Sequence, residues 1–312
     1  PSTNPLERPL KDQFYSRMKP GSIVWGWVTF DGEPAHVTHA SQYDLRVLCT
    51  TNSPNLSLFS QLQPHATSWS QQTIAPWGAI EPKVYLSFVL TDGDAPPILL
   101  TRQWYRWDQQ SRGQVPFGWE MEPLLARLAP IVLEYYYETA SAQDRFVAGA
   151  SGAGYVHPSE LPDPRPFMQE VARWCGVCDI DVVGIAPDHR LFDQEVAALW
   201  PQEFPGVKGF LYGWEGEPDL PQRLVEGRPH IFYGLMPGDG PRDDAYYRAI
   251  ADEIRAYAGQ WGLPCVLVAH MSCYWSGPDD VPGIMAALGD FPAQVVPVDS
   301  AIEIATRILS GL

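Results

Sequence analysis

The sequence predicts an α/β fold: a closed (β/α) barrel carrying a smaller N-terminal region. Three observations predict it. Short apolar segments alternate with amphipathic helical ones along most of the 312 residues, the pattern of buried parallel strands under helical cover. About seven such units fit in roughly 230 residues, which suits a closed barrel better than an open sheet. Acids, histidines, glycines and aromatics recur directly after the strand segments, and in a parallel barrel those ends gather on one face.

Taken in order, strands are predicted over 23–28, 45–50, 84–90, 146–149, 180–185, 207–212, 230–235, 265–269 and 294–298. Helices are predicted over 123–137, 164–174, 191–200, 242–261, 278–288 and 300–309. Pro123 and Pro164 stand at helix starts, where proline is tolerated. Gly262-Leu263-Pro264 stops the longest helix. Residues 51–82 lack periodicity and carry Asn, Ser, Gln and Pro. They divide an N-terminal α/β region, 1–82, from the barrel, 83–312.

Composition removes several function classes. Asp and Glu number 37 against 21 Lys and Arg, a net charge of −16. That balance opposes nucleic-acid binding, which needs a basic face to displace counterions. It also opposes anionic lipid headgroups. No stretch approaches the ~20 apolar residues of a membrane helix. The chain begins with Pro1 and shows no signal-peptide pattern, as a processed or truncated product would.

Cys175-Gly-Val-Cys178 has redox or zinc spacing, but there is no second such pair for a four-cysteine zinc site. Redox pairs of this kind open a helix, where the dipole lowers the thiol pKa. Here the pair follows a helical segment and enters a strand, so two packed small residues are expected.

Asp92-Gly93-Asp94 places two carboxylates at a strand end, with Gly93 free to take positive φ. Such a pair suits acid–base work, sugar hydroxyls or a divalent metal. Glu215 beside Trp214 is the preferred partner acid, because an indole neighbour raises a carboxyl pKa. Glu120 and Asp188 are further candidate acids. Gly152, Gly154 and Tyr155 form a glycine-dense turn, which brings backbone N–H groups and a ring close to a ligand. It fits neither a dinucleotide fingerprint nor a nucleophile elbow. Trp25, Trp119, Tyr155 and Trp214 offer sugar-stacking faces. His157, His189 and His270 each follow a strand, and with Asp92 or Asp94 could hold zinc.

Several ordered segments resemble one family. They are Val84-Tyr-Leu-Ser-Phe-Val-Leu-Thr-Asp92-Gly-Asp94, Pro116-Phe-Gly-Trp119-Glu-Met-Glu-Pro123, Leu128-Ala-Pro130 and Asp144-Arg-Phe-Val-Ala-Gly149-Ala-Ser-Gly152-Ala-Gly154-Tyr155-Val-His157-Pro158. With Trp25-Gly26-Trp27 and Asn55-Leu56-Ser57 upstream, they are similar to the GxGYxYP-domain proteins, classed among the glycoside hydrolases. The likeness covers roughly residues 20–165. Its motif residues here are Asp92, Asp94, Gly152, Gly154, Tyr155 and Pro158. Two positions depart from the pattern: Ala95 stands where the family has Asn, and His157 where it has Tyr. The resemblance implies a barrel of the glycoside hydrolase/deacetylase kind and a carbohydrate substrate.

The leading expectation is a carbohydrate-active hydrolase. Asp92, Asp94 and Glu215 would be catalytic, and Trp25, Trp119, Gly152, Gly154, Tyr155, His157, Asp188, Trp214 and His270 would contact the substrate. It needs no cofactor. A zinc-dependent deacetylase, whose metal lowers the pKa of bound water toward ~7, is the second expectation. A silent glycan-binding barrel is the third. Secretion suits glycan polymers, which are usually met outside the cell.

Overall fold

The computed structural model describes residues 7–26, 32–49, 56–93, 95–185, 192–213 and 218–312. The N-terminal region holds helix α1 (Glu7–Tyr15), strand β1 (Ile23–Trp25), helix α2 (Glu33–Ser41) and strand β2 (Arg46–Leu48). β1 and β2 pair in parallel as a two-stranded sheet. A short helix α3 (Leu56–Phe59) follows, and the stretch up to residue 83 then runs without strand or helix.

The main sheet begins with β3 (Val84–Leu90), all seven of whose residues are buried, as expected of a strand covered on both faces. Next come α4 (Pro96–Trp107), β4 (Phe117–Met121), α5 (Leu125–Leu128), α6 (Pro130–Thr139) and β5 (Asp144–Ala148). Then follow α7 (Arg165–Cys178), β6 (Val182–Ile185), α8 (Gln194–Glu203), β7 (Gly209–Tyr212), β8 (Arg223–Val225) and β9 (Arg228–Phe232). The chain closes with α9 (Asp244–Trp261), β10 (Cys265–Met271), α10 (Asp280–Leu288), β11 (Ala293–Val295) and α11 (Val298–Ser310).

Among the described residues the sheet has nine strands in the order β10-β3-β4-β5-β6-β7-β9-β8, with β11 on β3. All pairs are parallel except β8 with β9. The sheet is therefore mixed, and it curls into a half-barrel. Its two sides touch beyond β9 at one bridge, Leu235 with Ala269. There the Gly234 N–H donates to Val268 O at 3.1 Å and the His270 N–H to Leu235 O at 2.8 Å. Among the described residues no continuous ladder joins β9 to β10, so the half-barrel is seen and the fully closed barrel expected from the sequence is not.

Alternation along the strands divides the core in two. Val84, Leu86, Phe88 and Leu90 of β3 pack with the helices outside the curl. Tyr85 and Val89 face the other way, with Leu211, Ile231, Val266 and Val268. Val298, Ala301, Ile302, Ile304 and Ala305 of α11 complete that second cluster.

Two predicted elements change and two are added. The 123–137 helix is broken into α5 and α6 around Ala129, whose φ of −155° leaves the helical region. α7 continues to Cys178, so both cysteines of the CxxC pair sit in its last turn. Burial raises the thiol of Cys175 well above its ordinary value and that of Cys178 to about 12, which keeps both as packed thiols. α4 and β4 were absent from the sequence reading, and both adjoin the site. Among the described residues no helix is long and apolar enough to cross a membrane.

Candidate active site

Asp92 follows the last residues of β3 and adopts φ 67°, in the left-handed region that a non-glycine residue occupies at a cost. The reason lies in the next residue. A Cβ on Gly93 would stand 1.8 Å from the backbone O of Glu120. Gly93 is thus required by close approach to β4, while Asp92 carries the positive φ expected of its neighbour. The turn is held to the end of β10 and the loop that follows it. Thr91 N–H donates to Met271 O at 3.0 Å, and Asp92 Oδ2 accepts from Cys273 Sγ at 3.3 Å.

Two further carboxyls reach this point. Glu33 lies in the first turn of α2, half-buried, with its side chain hydrogen-bonded to Tyr155. Burial first, then the charge of Asp92, pushes its pKa up to about 7. Glu120 of β4 is buried beneath the turn and accepts from the backbone N–H groups of Gly93 and Asp92. Burial, again with the charge of Asp92, pushes it up to about 8. Asp92 is itself raised by burial, but the Cys273 thiol and backbone N–H and the Arg102 guanidinium favour its charged form. Burial thus raises all three carboxyls; Asp92 has donors and a cation that oppose the shift, and Glu33 and Glu120 hold protons near neutral pH.

Beside Glu120 lies a recess of about 10 Å³ lined by Thr91, Tyr233 and His270 among others, room for about one water. His270 is buried against the Tyr233 ring, 5.2 Å between centroids, and burial lowers its pKa to about 3, so it is neutral.

The glycine-dense loop builds the joint between the two parts of the chain. Val47 and Tyr155 exchange backbone hydrogen bonds of 3.0 and 2.8 Å, which ties the loop to β2. Gly152 has φ 90°, and a Cβ there would meet Val171 Cγ1 at 2.7 Å. The Gly154 N–H, at φ 82°, donates to Glu122 Oε2 at 3.1 Å. Burial raises Glu122 to about 7. These glycines let the loop pass between α7 and β2, and so deliver Tyr155 to Glu33.

The structure brings Asp92 and Tyr155 together through Glu33. It removes other expected contacts from the surface. Trp119 is fully buried, its indole N–H on Asp144 Oδ1 at 2.8 Å and its ring 4.8 Å from that of Trp107. It offers no face to a sugar. His157 is also fully buried; its Nδ1 lies 2.8 Å from Thr38 Oγ1 and its N–H donates to Ser41 Oγ. It fastens the loop to α2 rather than touching substrate. Trp25 is 48% exposed on the small sheet. Among the described residues, Asp92, His157 and His270 do not come together as a metal-ligand group. Asp94, Asp188, His189, Trp214, Glu215 and Glu217 lie outside the described residues.

Glu33 was missed because nothing local links residue 33 to residue 92. Glu120 was noticed as an acid but not placed, since Phe117-Gly-Trp-Glu-Met121 has no β-branched residue to mark a strand. A larger cavity, about 500 Å³, opens at the opposite end of the strands between residues 71–75 and α11. That end is the one where barrels keep stability rather than chemistry.

Residues 82–305 match the model described as the GxGYxYP putative glycoside hydrolase C-terminal domain, and residues 1–61 match the GxGYxYP third domain. The chain belongs to the GxGYxYP family. A crystal structure of a putative hydrolase from Bacteroides thetaiotaomicron VPI-5482 superposes with a TM-score of 0.86 at 21% identity. It covers 98% of this chain and 61% of that one, so this chain spans about three-fifths of its structural relative and shares its fold. A putative polysaccharide deacetylase from Mycobacterium smegmatis superposes at a TM-score of 0.41 and 13% identity, over 77% of this chain and 96% of that one. That likeness is too distant to bear on function. No curated protein matches the sequence.

Proposed function

We propose that this family member hydrolyses glycosidic bonds in a carbohydrate, with Asp92 and Glu33 as the working carboxyls. The observation that carries the reading is their pairing. One acid comes from the end of β3 and the other from the first turn of α2; burial raises the pKa of both, and of the two Asp92 has a cation, Arg102, that favours its charged form. Glycoside hydrolysis needs such a pair, one carboxyl to protonate the leaving oxygen and one carboxylate to act on the other face of the sugar. Glu33 is the acid: it holds a proton near pH 7 and is open enough to deliver it. Asp92 is assigned as the carboxylate, because the Cys273 thiol and Arg102 favour its charged form against the effect of burial. Glu120 is a positioning residue whose carboxyl fixes the strained Asp92 turn from below. The scheme uses no cofactor. Asp94 and Glu215 are proposed for the same rim, from sequence.

Leaving-group dependence tests the assignment. Glu33→Gln is expected to lower kcat on unactivated oligosaccharides by roughly 10²–10⁴-fold, the usual contribution of a general acid. Dinitrophenyl glycosides, whose leaving group needs no proton, are expected to lose far less. An equal loss on both substrates removes Glu33 from that role. Glycan binding by the unaltered chain with no turnover of any substrate removes the hydrolytic reading itself.

A further inference from the structure

We infer that His65, Glu134 and Glu138 form a divalent-metal site, of the zinc class, apart from the carboxyls around Asp92. Glu134 and Glu138 stand four residues apart on α6, so their side chains share one helix face. The segment after α3 crosses that face. It is pinned there by Glu134 Oε1, which accepts the His65 N–H at 2.5 Å and the Ala66 N–H at 3.2 Å. This leaves His65 Nδ1 3.3 Å from the other oxygen, Glu134 Oε2. One donor atom from each of the three residues lies within 4.8 Å of the other two. Ligands at ~2.0–2.2 Å around one tetrahedral ion stand about 3.4 Å apart, so a contraction of the three donor atoms would bring them to three corners of such a shell.

Three further features favour an ion over a bare ion pair. Among the described residues no Lys or Arg pairs with either carboxylate, so two like charges at i,i+4 face each other with only a histidine between them. Glu134 is buried, and its backbone N–H bonds hold one oxygen and aim the second, as outer partners do for metal-bound carboxylates. The imidazole ring is 90% exposed, which leaves the remaining coordination position open to water. One imidazole with two carboxylates suits zinc and its first-row neighbours better than magnesium or calcium, which take oxygen-only shells. The ion would stand between Nδ1 and Oε2 and would clamp residues 60–83, which have no ladder of their own, onto α6. α6 leads into the start of β5, so the clamp sits at the end of the strands away from Asp92.

The test is a calorimetric titration of EDTA-treated protein with zinc chloride, with thermal melting in parallel. One zinc per chain is expected, with a raised melting temperature. His65→Ala and Glu138→Gln, both at exposed side chains, are each expected to weaken binding at least tenfold and to abolish the thermal shift. Asp92→Asn is expected to leave binding unchanged. Magnesium chloride at the same concentration is expected to give no shift. Zinc bound equally well by both variants, or no uptake by the unaltered chain at 100-fold molar excess, overturns the site. An equal response to magnesium overturns its class.

Discussion

The two ends of the half-barrel hold acids in opposite ways. At the end lined by residues 71–75 and α11 the cavity is wide, and its acids have cations. Lys208 Nζ lies 2.5 Å from Asp181 Oδ2, Arg145 Nε 3.6 Å from Asp299 Oδ2, and Arg307 Nη1 3.9 Å from Glu303 Oε1. At the Asp92 end the recess has room for about one water, and the acids outnumber the cations. Arg102 helps Asp92, while the groups that oppose the shifts of Glu33 and Glu120 are hydrogen bonds alone. Burial lifts Asp299 to about 6 as well, so a raised carboxyl by itself does not mark chemistry. A left-handed aspartate stands at each end, Asp92 at φ 67° and Asp179 at φ 51°, so what separates the ends is the convergence of Glu33 and Glu120 on Asp92 without neutralising cations of their own.

That contrast can be broken most directly by paired substitutions. Asp92→Asn is expected to lower kcat/KM by on the order of 10³-fold or more. Asp299→Asn, in the wall of the larger cavity, is expected to leave kcat/KM within about twofold. Steady-state kinetics on one oligosaccharide decides. The reverse pattern would move the site to the other end.

A second pair sharpens the contrast through stability. Gly93→Ala drives a methyl into the Glu120 backbone, and a clash no rotamer relieves is expected to cost about 3 kcal/mol or more. Gly176→Ala on the exposed side of α7, where a Cβ meets nothing within 4 Å, is expected to stabilise by about 0.5–1 kcal/mol. Urea unfolding monitored by circular dichroism reads both. Similar midpoints for the two variants would mean that the β3–β4 contact is looser than drawn.

The smallest expected effect is a pH slope. The folded chain keeps the Glu120 proton up to about pH 8, whereas the ordinary glutamate value is 4.5. Between those limits the folded state binds more protons than the unfolded state, so stability is full below 4.5 and falls as pH rises toward 8. Glu122, raised to about 7, adds to the same slope. Glu120→Gln is expected to flatten the fall in melting temperature between pH 5 and 8, by on the order of 3 °C for a chain of this size. An unchanged slope would show that Glu120 is ionised in the folded state.

Much of the framework was legible in the sequence. β3 was predicted over its observed span, because seven consecutive apolar or small residues end at Thr91-Asp92-Gly93. α9 stops at Gly262, where φ is 76°. β4 and α4 were not legible: β4 lacks β-branched residues and buries a glutamate, and α4 opens with two prolines that read as loop. The site was legible by halves. Asp92 and Tyr155 were recognised as strand-end residues, and Trp119 and His157 were recognised with them but turned inward. Residues that follow a strand are polar for reasons of capping and packing as well as of function. His157 shows this, spending its ring on Thr38 and its backbone on Ser41.

By itself the sequence determined the alternation of strands and helices, the strand-end position of Asp92 and the family, because these are properties of local periodicity and residue order. Tertiary structure alone decided that Glu33 reaches Asp92, that Gly93 must yield to the Glu120 backbone, and that, among the described residues, the curl meets itself at Leu235 and Ala269. Those outcomes depend on which distant segments share space. Burial, which sets the protonation of each acid, exists only once they do.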